Sequence, residues 1–164
     1  MPTYRKHSHC SYCGHPFADA TWPRRCAHCG NVSFLNPIPV TIVLQPVDDG
    51  ILVVRRGIEP RRGWLALPGG YIGAGESWQE AGAREMWEEA CVAIDPVALQ
   101  VVRVFSAPDD TLILCGRAPA LRRADLPPFQ PTAEATERAV LAAPAELAFP
   151  LHTEIVAAYF RSSR

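Results

Sequence analysis

Residues 69–92 constrain this chain more than any other stretch. They read Gly69-Gly70-Tyr71-Ile72-Gly73-Ala74-Gly75-Glu76-Ser77, then Trp78-Gln79-Glu80-Ala81-Gly82-Ala83-Arg84-Glu85-Met86-Trp87-Glu88-Glu89-Ala90-Cys91-Val92. Ser77 followed three residues later by Glu80 is a capping box, so a helix begins there. The glycines before it make a loop that other groups can approach closely. Glu85, Glu88 and Glu89 stand at i, i+3 and i+4 and share one helix face. Ala83, Met86, Trp87 and Ala90 fall on a different arc and are expected to face a core. Like charges at this spacing cost roughly a few tenths of a kcal/mol per pair. Clustered hard oxygen ligands after a Gly-rich loop suit Mg²⁺ or Mn²⁺, which take carboxylate oxygens and keep waters and substrate phosphates.

The second constraint is in the first 35 residues. Cys10-x2-Cys13 and Cys26-x2-Cys29 are separated by twelve residues, and a glycine follows each pair, Gly14 and Gly30. Two thiolates on a tight turn grip one face of a tetrahedral ion, and two such turns complete a four-cysteine zinc site. With four protein ligands the site is closed and its zinc structural; an iron–sulfur centre is the competing occupant. Cys91 and Cys115 stand alone in apolar surroundings and read as small buried hydrophobes. Paired CxxC units read as a metal site in a reducing compartment, so a cytoplasmic location is expected.

Charge and hydropathy exclude other classes. Sixteen Lys+Arg against seventeen Asp+Glu give a net charge of −1, so a nucleic-acid partner is not the expectation. No apolar run approaches the roughly 18–20 residues of a membrane span, and none near the start reads as a secretory segment. A membrane partner is therefore not expected.

The coarse organisation is a polar, Cys- and His-rich module over 1–35, a proline joint at 36–39, and a domain over 38–164. Strands are expected at 40–44 and 51–54, joined as a hairpin through Asp48-Asp49-Gly50. Further strands are expected at 64–67, 97–105, 112–118 and 137–141. Helices are expected at 77–90 and 152–161. Strands mixed with two helices give an α/β or α+β domain.

Residues 70–92 resemble the Nudix box, G-x5-E-x7-R-E-U-x-E-E-x-G-U with U bulky and apolar. Gly70, Glu76, Arg84, Glu85, Met86, Glu88, Glu89 and Val92 fill it in register, and Cys91 stands where the box has its final glycine. If that position needs positive φ, cysteine costs about 1 kcal/mol there. The four-cysteine module, the Asn36-Pro37 joint and the run from Glu59 to Gly70 extend the likeness to zinc-ribbon Nudix proteins. Those include NADH pyrophosphatases and a group similar to plant FAD pyrophosphatases. Ser106-Ala107-Pro108-Asp109-Asp110 lacks the aromatic pair of the NADH-type S-Q-P-W-P-F-P signature, and residues 129–137 look closer to the FAD-type group.

The resemblance implies a mixed-sheet α/β/α sandwich carrying a small zinc ribbon. It implies Mg²⁺- or Mn²⁺-dependent hydrolysis of a small-molecule nucleotide: a nucleoside diphosphate linked to another moiety, as in FAD, NADH or ADP-ribose. Nucleotide-cap removal from RNA and non-catalytic nucleotide sensing are the alternatives. Glu85, Glu88, Glu89 and the carbonyl of Gly70 would hold the divalent ion, and Arg84 would orient a box carboxylate. Glu88, Glu134 or Glu137 would take the proton of the attacking water. Arg55, Arg56, Arg61 and Arg62 flank the loop, with Arg55 and Arg62 as candidates for substrate contact. Trp64, Tyr71, Phe105 and Phe129 are stacking candidates, Tyr71 and Phe105 foremost. Family members often pair, which leaves a homodimer open.

Overall fold

Strand runs with several successive apolar residues belong in a sheet covered on both faces. In the computed structural model, which describes residues 6–18 and 21–162, this holds for the two central strands. Strand β3 (Ile38–Leu44) sends Val43 to one core and Ile42 and Leu44 to another. Strand β5 (Gly50–Arg56) divides likewise, Leu52 and Val54 against Ile51 and Val53. The alternation is the two-residue period of a strand. Helix α1 (Trp78–Ala90) supplies Met86 and Ala90 to the first core, and helix α2 (Pro150–Ser162) supplies Ile155 and Val156 to the second. The result is the mixed α+β sandwich that the resemblance implies.

The chain divides into two compact units, residues 1–37 and 38–164. In the first, β1 (Arg24–Arg25) pairs antiparallel with β2 (Val32–Ser33). In the second, β4 (Pro46–Val47) and β6 (Leu65–Ala66) both pair with β5, whose other edge carries β10 (Ala135–Leu141). The other sheet runs β7 (Gly69–Tyr71), β3, β9 (Thr111–Arg117), β8 (Gln100–Ser106), with β3 and β9 parallel. Among the described residues no helix is long and apolar enough to cross a membrane.

Several expectations are corrected. The 40–44 and 51–54 runs are not hairpin partners; they lie in different sheets. The turn at Asp48-Asp49 does close a hairpin, but between β4 and β5. Buried Gln45 sits at the switch between sheets, and its amide donates to the carbonyls of Pro46 and Pro119 at 2.8 and 2.7 Å. The start of the expected 97–105 strand is a single helical turn, Pro96–Ala98, capped by Asp95. Gly69–Tyr71, expected as loop, is a short strand on β3. Trp87 does not face the core; it is 60% exposed. The buried arc of α1 is Ala81, Gly82, Glu85, Met86, Glu89 and Ala90, so two of the glutamates take the place expected for the tryptophan.

Cys115 is buried in the second core, and burial pushes its thiol up to about 12. Cys91 is only half-buried and is not a core residue. It ends α1 in the left-handed region, φ 55°, while its N–H and that of Val92 bond back to the carbonyls of Trp87 and Met86. A side chain in that region is strained, and glycine is not. Cys91→Gly is therefore expected to raise stability by about 1 kcal/mol, less whatever the sulfur's contact with the Gln130 N–H (3.4 Å) contributes. A rise in Tm of about 2–4 °C would follow, and a fall would show that the contact outweighs the strain. Arg138, which the periodicity gave no reason to single out, donates to the terminal carbonyl of α1 at Ala90 and to Pro127. It ties the end of the helix to the proline-rich loop.

Candidate active site and metal centre

The capping box expected at Ser77 is present in full, so α1 begins where the Gly-rich segment ends. Three of the four glycines before it, Gly69, Gly70 and Gly73, serve a carboxylate. The Gly69 N–H donates to Glu89 at 3.0 Å, and the Gly73 N–H donates to Glu76 at 2.6 Å. A Cβ on Gly70 would lie 2.3 Å from a Glu85 oxygen, so only a glycine leaves room for that carboxylate. Arg84 donates to Glu76 (2.9 Å), Glu85 (2.8 Å), Glu88 (3.1 Å) and the Tyr71 carbonyl (3.0 Å). One guanidinium thus fixes three carboxylates and the end of β7.

The three box glutamates are not equivalent. Glu88 is exposed. Glu85 and Glu89 are buried, 8% and 7% exposed. Burial drives the Glu85 carboxyl upward against the opposing Arg84 charge. Glu89 is driven up to about 7, first by burial and then by the charge of Glu85, with the Gly69 N–H pulling the other way. The charge of Glu134 adds a smaller push to the rise at both buried carboxyls. Two buried, like-charged carboxylates are costly unless a cation compensates them, and hard oxygens of this kind suit Mg²⁺ or Mn²⁺.

Between about 4.5 and 7 the folded chain keeps a proton on Glu89 that the unfolded chain releases. Glu89 therefore makes stability fall as pH rises through that window, by up to about 3 kcal/mol in all. His152 acts oppositely. Its Nδ1 accepts from the Leu67 N–H, and burial followed by the Arg56 charge lowers it from 6.5 to about 4. The unfolded chain alone takes up that proton, so stability rises with pH until 6.5. Relative to Glu89→Gln, urea midpoints of the parent measured without magnesium or manganese are thus expected to fall as pH rises from 4.5 to 7, and the comparison cancels the His152 contribution common to both. Parallel curves for parent and variant would show that Glu89 is ionised without cost.

The other candidates separate. The backbone carbonyl of Glu134 accepts from the Gly57 N–H at 2.7 Å, while its carboxylate has no hydrogen bond or ion pair among the described residues. Glu137 is tied to Arg55 at 2.5 Å. Arg55 also donates to the Gly63 carbonyl, so it is engaged and does not present its charge to the glutamates. Arg62 is exposed, with no ion pair among the described residues. Arg56 is the arginine whose charge reaches Glu89; its guanidinium lies over the Phe149 ring at 5.1 Å. The pattern of four arginines gave no means of choosing it, since strand register decides. Tyr71 is exposed beside the Arg84 network. Phe105 is a correction: its ring belongs to the second core, 9% exposed and not presented for stacking. Phe129 lies under the Arg138 guanidinium, and Trp64 is partly exposed at a cleft wall.

In the first unit both CxxC turns have the same build. The Cys10 and Cys26 carbonyls accept from Gly14 and Gly30, which lie at φ 73° and 76°. The four sulfurs lie within 4.8 Å of one another, with two separations of 3.6 and 3.7 Å. Tetrahedral zinc with Zn–S of about 2.3 Å puts sulfurs roughly 3.8 Å apart, so the donor set fits that ion.

Comparison with known proteins points the same way. The NUDIX domain family matches residues 35–154. Among curated relatives, an NAD-capped RNA hydrolase NudC of Edwardsiella ictaluri is 36% identical over 89 residues, 53% of this chain and 34% of that protein. The protein of the same name from Salmonella typhi is 33% identical over 93 residues, 56% of this chain and 36% of that one. The chain spans about a third of the length of these relatives. Among solved structures, a NUDIX hydrolase from Nitrosomonas europaea superposes with a TM-score of 0.78 at 23% identity, over 94% of this chain and 91% of that chain. A bifunctional NMN adenylyltransferase/ADP ribose pyrophosphatase from Francisella tularensis, complexed with AMP and manganese, gives 0.65 at 22%, over 80% and 43%. At these identities the structural likenesses show the fold.

Proposed function

The chain belongs to the NUDIX family, and on that premise we propose that it is a divalent-metal-dependent hydrolase. It would cleave the diphosphate bridge of a nucleoside diphosphate joined to a second moiety, such as a dinucleotide cofactor or ADP-ribose. The observation that carries this reading is the pair of buried carboxylates, Glu85 and Glu89, set against Gly70 and Gly69. A solvated acidic face has no reason to bury two of its charges.

Glu85, Glu88, Glu89 and the Gly70 carbonyl would hold Mg²⁺ or Mn²⁺, which when bound offsets charge on the diphosphate and lowers the pKa of a coordinated water. Arg84 holds Glu85, Glu88 and Glu76 in fixed orientation. Glu134 is the general base, because Glu137 is committed to Arg55 and Glu88 to Arg84. The water oxygen bonds to phosphorus as its proton passes to Glu134, and the bridging P–O bond breaks. Arg56 binds the diphosphate, from the same side as Glu89. Residues 1–35 form the zinc ribbon and 38–164 the hydrolase domain, in a cytoplasmic protein.

Hydrolysis of nucleotide-capped RNA is the second reading. The names of the Edwardsiella and Salmonella relatives favour it. So does an uneven charge distribution, with Arg5, Lys6, Arg24 and Arg25 against Asp19 alone in residues 1–37. A turnover panel with Mg²⁺ separates the readings. FAD, NADH, ADP-ribose and an NAD-capped RNA are each assayed for release of a nucleoside monophosphate or a 5′-phosphorylated RNA. Turnover of the small dinucleotides supports the first reading, turnover of the capped RNA alone the second, and no turnover of any member removes both.

A further inference from the structure

Helix α2 carries a buried titratable side chain that the hydrolytic reading leaves without a task. His152 is 6% exposed, and its ring meets that of Phe149 edge-on at 5.0 Å. Burying an imidazole is costly, and a leucine would fill the place without that cost. The neighbouring backbone gives the reason for it. Strand β6 ends at Ala66, so the N–H of the next residue, buried Leu67, has no strand to pair with. It donates to His152 Nδ1 at 3.1 Å. Burial, followed by the Arg56 charge, keeps the ring unprotonated and so able to accept. A buried N–H left alone is itself costly, and the helix supplies the acceptor that the sheet does not. A second bond ties the same two segments, from the Ala148 N–H to the Leu65 carbonyl at 2.7 Å.

Leu67 opens the run that builds the carboxylate site. The Pro68 carbonyl accepts from the Val43 N–H at 2.9 Å. The Gly69 N–H donates to Glu89 at 3.0 Å. Gly70 lies against Glu85 and pairs with Thr41 of β3. The Tyr71 carbonyl accepts from Arg84 at 3.0 Å. Gly69 and Gly70 have no side chains to hold their own backbone, and glycine is the most permissive residue. Their orientation therefore depends on the anchors at either end, Arg84 on Tyr71 and His152 on Leu67.

We infer that His152 is a positioning residue for the divalent-ion site: its ring holds the Leu67 N–H, and so sets the Gly69 N–H against Glu89 and the Gly70 backbone against Glu85. It touches neither substrate nor ion. Its effect passes through one hydrogen bond and two residues of chain. Groups that orient metal ligands from behind affect binding by about 10–100-fold. The inference rests on the reading of Glu85, Glu89 and Gly70 as the holders of a divalent ion.

Manganese binding and amide exchange test this without turnover. Mn²⁺ is titrated calorimetrically into the full chain, with zinc supplied to the four-cysteine site. His152→Leu fills the space with no acceptor. His152→Asn places an oxygen near the position of Nδ1, and His152→Gln carries its oxygen one carbon further, near Nε2. The Leu and Gln variants are expected to weaken Mn²⁺ at least about tenfold, and the Asn variant to stay close to the parent. Without manganese, the Leu67 and Gly69 amides should exchange faster in the Leu and Gln variants, relative to the amides of β9. If the Leu variant fails to fold, the contrast between Asn and Gln decides. Val156→Ala removes core volume from the same helix, so it should lower stability and leave Mn²⁺ affinity unchanged. Parent-like Mn²⁺ affinity in the Leu and Gln variants, or equal weakening in Val156→Ala, overturns the inference. If the parent binds Mn²⁺ and hydrolyses a dinucleotide while these variants bind Mn²⁺ equally well, the inference falls alone. If Mn²⁺ binding depends on His152 yet the parent turns nothing over, the hydrolytic reading falls alone. A parent that binds no Mn²⁺ removes both.

Discussion

Replacing Glu89 by Gln is expected to lower kcat at least about a hundredfold on the best substrate while leaving the fold intact. Glu89 is the most deeply buried of the three box glutamates and the one whose carboxyl is driven to about 7. Gln keeps the shape and can still accept from the Gly69 N–H through its amide oxygen. It loses the charge that a divalent ion requires. It also removes repulsion from Glu85 and Glu134, so without magnesium or manganese the variant should be as stable as the parent or more so. A ligand that binds only the folded state raises stability as its concentration exceeds its dissociation constant. Added Mg²⁺ or Mn²⁺ should therefore raise the Tm of the parent more than that of the variant. Parent-like turnover in Glu89→Gln, with equal metal stabilisation of both proteins, would reduce the acidic face to a solvated surface and favour nucleotide sensing over hydrolysis.

Removing zinc should unfold residues 6–37 and spare the other unit. Among the described residues of 1–37 the buried ones are Cys10, Cys26 and Ser33, so this unit has no apolar core apart from its cysteines. Both hydrophobic clusters lie in residues 38–164. Structural zinc in such small modules contributes about 10–16 kcal/mol, all of it folding free energy. Elemental analysis should find one zinc per chain, and Cys26→Ser should lose it. Amide exchange in Cys26→Ser should then be rapid throughout residues 6–37 and unchanged across β3–β10. Iron in place of zinc, or protected amides in the metal-free ribbon, would overturn this account.

Much of the first-order chemistry was legible from residue order alone. Capping, helical spacing and the CxxC turns are local. Ser77 and Glu80 meet across one helical turn, and Gly14 and Gly30 relieve their own turns, whatever the rest of the chain does. The box pattern identified the carboxylates by spacing, and the family match agrees with it.

What spacing could not give was environment. Glu85, Glu88 and Glu89 look equivalent on a helical wheel, yet the packing of α1 against β7 and β3 buries the first and third and leaves the second in water. The same packing put Trp87 outside and Glu89 inside, against the hydrophobicity of the two side chains, because the neighbouring backbone at Gly69 offers a donor. Glu134 and Glu137 are three residues apart, and the pairing of β10 with β5 decides that Glu137 meets Arg55, while Glu134, just ahead of that strand, keeps an unpaired carboxylate among the described residues. Arg55 and Arg56 diverge for the same reason, since adjacent residues of a strand point to opposite faces. The hairpin expected between 40–44 and 51–54 failed because β3 finds a parallel partner in β9, more than sixty residues away in sequence. Local geometry depends on neighbours in the chain and can be read there. Burial, charge environment and partner choice depend on which strands meet, and that is decided only when the whole core closes.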